Sequence, residues 1–257
     1  MELIISKENG VATLKLNRPE VFNSFNQKMA IDLQKALDDC EKDETVRCIV
    51  ITGEGKAFCA GQDLAEATDP NGPELKSIVK DHYNPIILRL RNIEKPIVAA
   101  VNGVAAGAGA NIALACDIVF ATESASFIQA FSKIGLIPDS GGTFMLPRLV
   151  GWQKASALMM TGDKVPAAEA AAMNMIYKAI PDSEFDETIS HFASKMAQMP
   201  TKGLGLTKRA LSASLTNNLE EQLAIEGKLQ TEAGSTHDFN EGTQAFLEKR
   251  LPGFKGK

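Results

Sequence analysis

The chain has 257 residues, 44% of them hydrophobic and 23% charged, with a formal net charge of −5. That length allows one large domain or two small ones, either with a sizeable core, and the composition is that of an ordinary globular protein. An acidic balance argues against a nucleic-acid binder, which needs a basic face for phosphates, yet leaves room for a local basic pocket and an anionic small ligand.

Leu3–Ser6 and Val11–Leu16 read as strands joined at Glu8-Asn9-Gly10, where an Asn-Gly pair favours a hairpin. Gln27–Lys42 carries Met29, Ile31, Leu33, Ala36 and Leu37 at helical spacing. Val46–Thr52, β-branched and apolar, reads as a buried strand closed by Gly53-Glu54-Gly55. The alternation continues with a helix over Leu75–Asn92, a strand at Ile97–Val101, a Gly/Ala-rich helix near Ala106–Cys116, and strands at Ile118–Ala121 and Ser126–Phe127. Such alternation implies an α/β core on parallel or near-parallel sheets. From about Gly151 the strand signals fade. Helices are expected over Trp152–Thr161, Ala167–Met173, Phe185–Gln198, Thr207–Ser214, Leu219–Thr231 and Asn240–Lys249. The most loop-like stretch is Glu66–Glu74, and there is no internal repeat.

Cys40, Cys48, Cys59 and Cys116, with His82, His191 and His237, show no spacing of a metal knuckle, redox motif or disulfide framework, so no metal is expected. Met1–Lys7 has neither a basic nor a long apolar leader region, and Pro96–Val101, the longest apolar run, is far too short to span a bilayer. A reducing cytoplasm is the expected location, with no membrane or nucleic-acid partner.

Glycine and alanine gather at three strand-to-helix junctions: Ala57-Phe58-Cys59-Ala60-Gly61-Gln62-Asp63-Leu64, Asn102–Asn111 with Gly107-Ala108-Gly109, and Gly135-Leu136-Ile137-Pro138-Asp139-Ser140-Gly141-Gly142-Thr143. Small residues let a ligand approach the backbone, and helix N-termini present free N–H groups to negative charge. Two such loops can aim donors at one developing oxyanion. Tight helix–sheet packing asks for the same residues, so composition alone leaves both readings open.

The order of motifs resembles the crotonase (enoyl-CoA hydratase/isomerase) superfamily over nearly the whole chain. The matching segments are Leu14–Pro19 with Asn23-Ser24-Phe25, Ile49–Gly53 running into Lys56–Leu64, Lys95–Gly103, Cys116-Asp117-Ile118, Gly135–Pro138 and Gly141-Gly142-Thr143. The resemblance implies an α/β spiral of ββα units over residues 1–200 and a helical C-terminal region, 201–257, that packs trimers or dimers of trimers. It implies an acyl-CoA substrate, with coenzyme A part of that substrate and no separate cofactor. It also implies an oxyanion hole from the backbone N–H groups of Gln62 and Ala108. Around them Ala60, Gly61, Asp63, Leu64, Tyr83, Gly107, Asn111, Phe131 and Pro138 would line the substrate, while Lys56, Phe246 and Lys249 resemble positions that meet the CoA nucleotide.

Family hydratases carry two glutamates, and the matching positions here are Asn111 and Phe131, neither able to accept a proton. A carboxylate stands instead at Asp139. Ala130–Thr143, Tyr83-Asn84-Pro85, Gly103–Ala110, Gly203–Leu206 and Ala245–Arg250 are similar to the superfamily branch of ring-epoxyphenylacetyl-CoA isomerases of phenylacetate breakdown. The implied activity is a shift of a double bond, or opening of a ring epoxide to an oxepin, with Asp139 as single acid/base and Phe131 and Phe144 as its apolar surroundings. A fatty-acyl 3,2-enoyl- or dienoyl-CoA isomerase is the second reading and a hydratase the third. Asp139 ahead of Ser140-Gly141-Gly142 also suits a helix N-cap. For Asp63 and Asp117, capping or ion pairing is the expected role. His82 and Tyr83 suit either an acyl pocket or a helix surface.

Asp139-Ser140-Gly141-Gly142 also resembles a trypsin-like nucleophile segment, but His82, within a helical stretch, is the only upstream histidine. Gly107-Ala108-Gly109 lacks the third glycine of a dinucleotide fingerprint. Some crotonase relatives bind RNA, a non-enzymatic role that the acidic balance disfavours.

Overall fold

The computed structural model describes all 257 residues. β1 (Leu3–Glu8) and β2 (Val11–Leu16) pair antiparallel as the expected hairpin. Asn9 and Gly10 hold φ of +50° and +83°, as a two-residue type I′ turn requires. α1 (Gln27–Lys42) begins where the Asn26 side chain accepts from the Met29 N–H, and its Met29–Leu33–Leu37 face is buried.

Three turns of two strands plus helix follow. The first is β3 (Cys48–Gly53), β4 (Ala57–Cys59) and α2 (Leu64–Ala67), continued by α3 (Leu75–Ser77) and α4 (Asn84–Asn92). The second is β5 (Ile97–Val101), β6 (Val104–Ala106) and α5 (Ala108–Ala115). The third is β7 (Ile118–Thr122), β8 (Ser126–Ile128), α6 (Gly142–Val150) and α7 (Trp152–Thr161). β9 (Lys164–Pro166), α8 (Ala167–Ala172) and β10 (Lys178–Ile180) come next. The chain ends in α9 (Phe185–Gln198), α10 (Thr201–Ser214), α11 (Leu219–Gly234) and α12 (His237–Glu248).

In each turn the first strand joins a six-stranded sheet, ordered β1-β2-β3-β5-β7-β10, and the second a four-stranded sheet, ordered β4-β6-β8-β9. Pairing is parallel except for β1/β2 and β8/β9. This is the α/β spiral of ββα units that the resemblance implies. The main core fills the space between the sheets, α1, α4 and α5, while Phe185, Ile189 and Ala193 of α9 cover the outer face of the large sheet. No helix is long and apolar enough to cross a membrane.

Four strands are not legible in the sequence, and two of them correct the expectation of an all-helical stretch after Gly151. β4, β6, β9 and β10 have three residues each, too few for a period-2 signal, and owe their existence to neighbours already in place. α6 is hidden by glycines at its start and Pro147 inside it. α10 begins at Thr201 rather than Thr207 because Gly203 and Gly205 read as breakers. In fact Gly205 lets the helix lie on the Glu94 carbonyl, which a Cβ would approach to 2.4 Å. The expected Leu75–Asn92 helix forms with a π-helical segment, Ile78–Tyr83, ahead of Pro85. Pro85 has no N–H to donate, and widening the turn relieves its ring.

Candidate active site

The first glycine loop, Ala60–Asp63, is held by the segment before α1. The Ala60 N–H donates to the Phe22 carbonyl (2.9 Å), the Phe25 N–H to Gly61 (2.7 Å), and the Asp63 N–H to Phe25 (2.8 Å). Phe25 and Gln62 thus form a parallel bridge. Bonds on either side of Gln62 engage Phe25, so its own N–H turns the other way. Buried Asn23 braces the turn below, donating to the Glu54 and Ala57 carbonyls. Asp63 caps α2 through the Ala65 N–H and pairs with Arg18 at 2.8 Å. Burial pushes its carboxyl up, but Arg18 and the Ala65 N–H outweigh that and hold it below the usual range.

The second loop abuts the first. Gly61 has φ +96°, and a Cβ there would lie 2.9 Å from the Ala106 carbonyl oxygen and 3.4 Å from the Ala108 nitrogen. Gly107, at φ +52° and ψ −127°, turns the chain into α5. Ala108 is the first residue of that helix, so its N–H has no intrahelical acceptor. Gly109 allows α5 to sit on β4, since a Cβ would meet the Cys59 carbonyl at 2.4 Å.

Asp139 precedes α6 on a sharp turn, Ser140 and Gly141 holding φ of +51° and +73°. The helix cap is Gly141, so Asp139 is not the N-cap that its position suggested. Its Oδ1 accepts from Ser140 Oγ at 2.9 Å. Burial raises its pKa against the opposing pull of that bond. Phe131 is buried, with its ring tip by Gly107, whereas Phe144 is exposed with the Arg148 guanidinium 3.8 Å above its ring.

Tyr83, also buried, donates its hydroxyl to Gln62 Oε1 at 2.7 Å. Burial lifts the Tyr83 pKa well above the ordinary value, and the charge of Asp139 adds to the rise. Tyr83 thereby ties the π-helical turn to the first loop, and neither it nor buried His82 lies on a helix surface. Gln62 Nε2 reaches Glu66, whose carboxylate accepts from the Gln27 N–H at the start of α1. Asn111 is buried, with its amide turned to the Asp139 carbonyl.

The structure places Ala60, Gly61, Gln62 and Asp63 on the first loop with Leu64 opening α2, and Tyr83 at the end of the π-helical turn. Gly107 stands ahead of α5 with Ala108 and Asn111 on it, Phe131 lies in a 3-10 turn after β8, and Pro138 and Asp139 are on the loop before α6. Lys56 is exposed beside Gly103, its carbonyl 2.2 Å from where a Gly103 Cβ would stand. Phe246 lies apart on α12, which packs against α11, and is 82% exposed, and Lys249 is the left-handed residue that ends that helix. Sequence reasoning missed Gln129, Arg18 and Glu66. Gln129 follows the apolar end of β8, and a polar side chain directly after a buried strand was the available signal.

Comparison with known proteins agrees with this geometry. The sequence profile of the enoyl-CoA hydratase/isomerase family matches residues 6–257. The chain is 48% identical over 261 residues to 1,2-epoxyphenylacetyl-CoA isomerase of Escherichia coli (strain K12), covering 100% of both. It is 36% identical over 259 residues to trans-2-decenoyl-(acyl-carrier-protein) isomerase of Streptococcus mutans, covering 100% of this chain and 98% of the relative. Among solved structures, enoyl-CoA hydratase from Bacillus anthracis superimposes with a TM-score of 0.93 at 32% identity, covering 100% of each chain.

Proposed function

The chain belongs to the enoyl-CoA hydratase/isomerase family, and from that premise we propose an acyl-CoA isomerase that uses one carboxylate. The observation that carries this reading is the half-buried Asp139, with a raised pKa, on a loop beside the two abutting glycine loops. The thioester oxygen would accept from the Gln62 and Ala108 N–H groups, each donor worth about 3 kcal/mol as enolate charge develops. Asp139 removes a proton from the carbon α or γ to the thioester and returns it at the other end of the allylic system. Its raised pKa brings it closer to working pH and makes it a stronger base. On a ring epoxide the same proton relay opens the strained ring to an oxepin. Asn111 and Phe131, standing at the hydratase glutamate positions, offer no second acid to activate water.

The Escherichia coli relative supports the epoxide substrate, and the Streptococcus mutans relative supports a fatty-acyl double-bond shift as the second reading. Coenzyme A belongs to the substrate, and the chemistry calls for no separate cofactor. We place the protein in a reducing cytoplasm, where four buried free cysteines remain thiols. Residues 201–257 are proposed as the trimer-forming region, because Leu211, Leu219, Leu223, Phe239, Phe246 and Leu247 expose apolar surface there.

The test is incubation of wild type and Asp139→Asn with a 3-enoyl-CoA and a 2-enoyl-CoA in deuterated water, followed by mass spectrometry. Label uptake with double-bond migration in wild type alone supports the single-acid isomerase. Water addition to the 2-enoyl-CoA that survives the substitution refutes it.

A further inference from the structure

The peptide that carries Asp139 is gripped from inside the protein. Its carbonyl oxygen accepts from the Gly142 N–H and from Asn111 Nδ2, both at 2.9 Å. Asn111 is 1% exposed, on the first turn of α5. Its Oδ1 accepts from Gln129 Nε2 at 2.8 Å. Gln129 follows β8 and is 4% exposed. The orientation of both amides is forced. Only Asn111 Nδ2 can donate to a carbonyl, which leaves Oδ1 facing Gln129, and Gln129 must then present its own nitrogen. Gln129 Oε1 is left buried without a donor, an arrangement that folding stability alone does not favour.

The grip has something to hold. Ser140 at φ +51° is an L-residue in the left-handed region, followed by Gly141 at +73°. Such a pair persists only where its surroundings over-determine it. The fit around Asn111 is also close, since a Cβ at Gly142 would lie 2.3 Å from its Nδ2.

We infer that Asn111, held by Gln129, is a positioning residue that aims the Asp139 carboxyl by clamping the Asp139 peptide, rather than by touching substrate. The inference rests on the reading of Asp139 as the acid/base. It also gives position 111 a task that a hydratase-type glutamate, which has no N–H to donate when ionised, does not perform.

The experiment measures kcat and KM for a 3-enoyl-CoA, solvent deuterium uptake and melting temperature in wild type, Asn111→Ala, Gln129→Leu and Asp139→Asn. Asn111→Ala is expected to lower kcat and deuterium uptake together by about 10- to 100-fold, the scale of a misplacement of about 1 Å. KM should stay within about 2-fold, because ground-state binding is untouched. Gln129→Leu removes one orphaned acceptor and creates another at Asn111 Oδ1, so it should melt close to wild type and still lose kcat. That split between stability and turnover is not produced by a merely structural residue. Should Asn111→Ala fail to fold, Gln129→Leu decides alone. Wild-type kcat in Gln129→Leu, or a raised KM with unchanged kcat in Asn111→Ala, overturns the clamp while Asp139→Asn remains inactive. An active Asp139→Asn refutes the base itself and takes the clamp with it.

Discussion

Gly61→Ala tests whether the two glycine loops work as one device. At φ +96° an alanine pays the left-handed penalty of about 1–2 kcal/mol. Its Cβ would also lie 2.9 Å from the Ala106 carbonyl oxygen, against an ordinary carbon–oxygen contact of about 3.3 Å. The first loop must therefore withdraw from the second by about 0.4 Å, which brings the total cost to about 2–3 kcal/mol. At roughly 2–4 °C per kcal/mol for a chain of this size, the melting temperature should fall by about 4–12 °C. A retreat of about 0.4 Å is under half of the misplacement of about 1 Å that costs about 100-fold. It is close to the tolerance of about 0.5 Å for a catalytic constellation, so kcat should drop by about 3- to 10-fold. Scanning calorimetry for the melting temperature, and initial rates on a 3-enoyl-CoA with folded protein at 25 °C, read the two effects separately. A lower melting temperature with full kcat would refute the oxyanion role of this loop. An unchanged melting temperature would refute the close approach itself.

The acid limb of kcat/KM should lie above the ordinary aspartate value of 3.8, because burial raises Asp139 and the base must be ionised. Stability follows the opposite sense. The folded state favours the neutral carboxyl, so that contribution is complete below the ordinary value and is lost as pH rises through the raised one. Asp139→Asn should accordingly melt higher than wild type at neutral pH, its stability raised by about 1.4 kcal/mol for every tenfold by which folding tightens the carboxyl's hold on its proton. An equal or lower melting point there would contradict the burial argument. Asp117 accepts from Lys208 Nζ (2.8 Å), Arg91 Nη1 (3.3 Å) and the Ile97 N–H (2.9 Å), tying α10 to the large sheet. Asp117→Ala strands the buried Lys208 and should cost about 3–5 kcal/mol, whereas a loss under about 1 kcal/mol in urea titration would mean that the cluster relaxes freely. Phe246→Asp combined with Leu247→Asp should convert the proposed trimer to monomers in light scattering, and an unchanged mass would move the proposed interface away from α12.

Local sequence was enough for α1, α7 and α9, whose bounds match the expectation residue for residue, since each carries its own helical period. The Asn9-Gly10 hairpin was legible for the same reason, a backbone conformation that those two residues favour by themselves. The strand-to-helix glycines marked where the chemistry should be sought, and the absence of acids at Asn111 and Phe131 pointed away from a hydratase. What one-dimensional order did not contain is what the loops touch. The three-residue strands of the small sheet exist only because β4, β6, β8 and β9 lie side by side. That Asp139 is not a helix cap but a residue on a left-handed turn depends on Gly141 taking the cap and Asn111 gripping from another helix. Tyr83 meets Gln62 across 21 residues, Gln129 meets Asn111 across 18, and Arg18 meets Asp63 across 45. Hydrogen bonds and close contacts of this kind act over about 3 Å of space whatever the separation along the chain. Sequence alone therefore determined which residues were available for the site, and tertiary packing decided which of them hold each other.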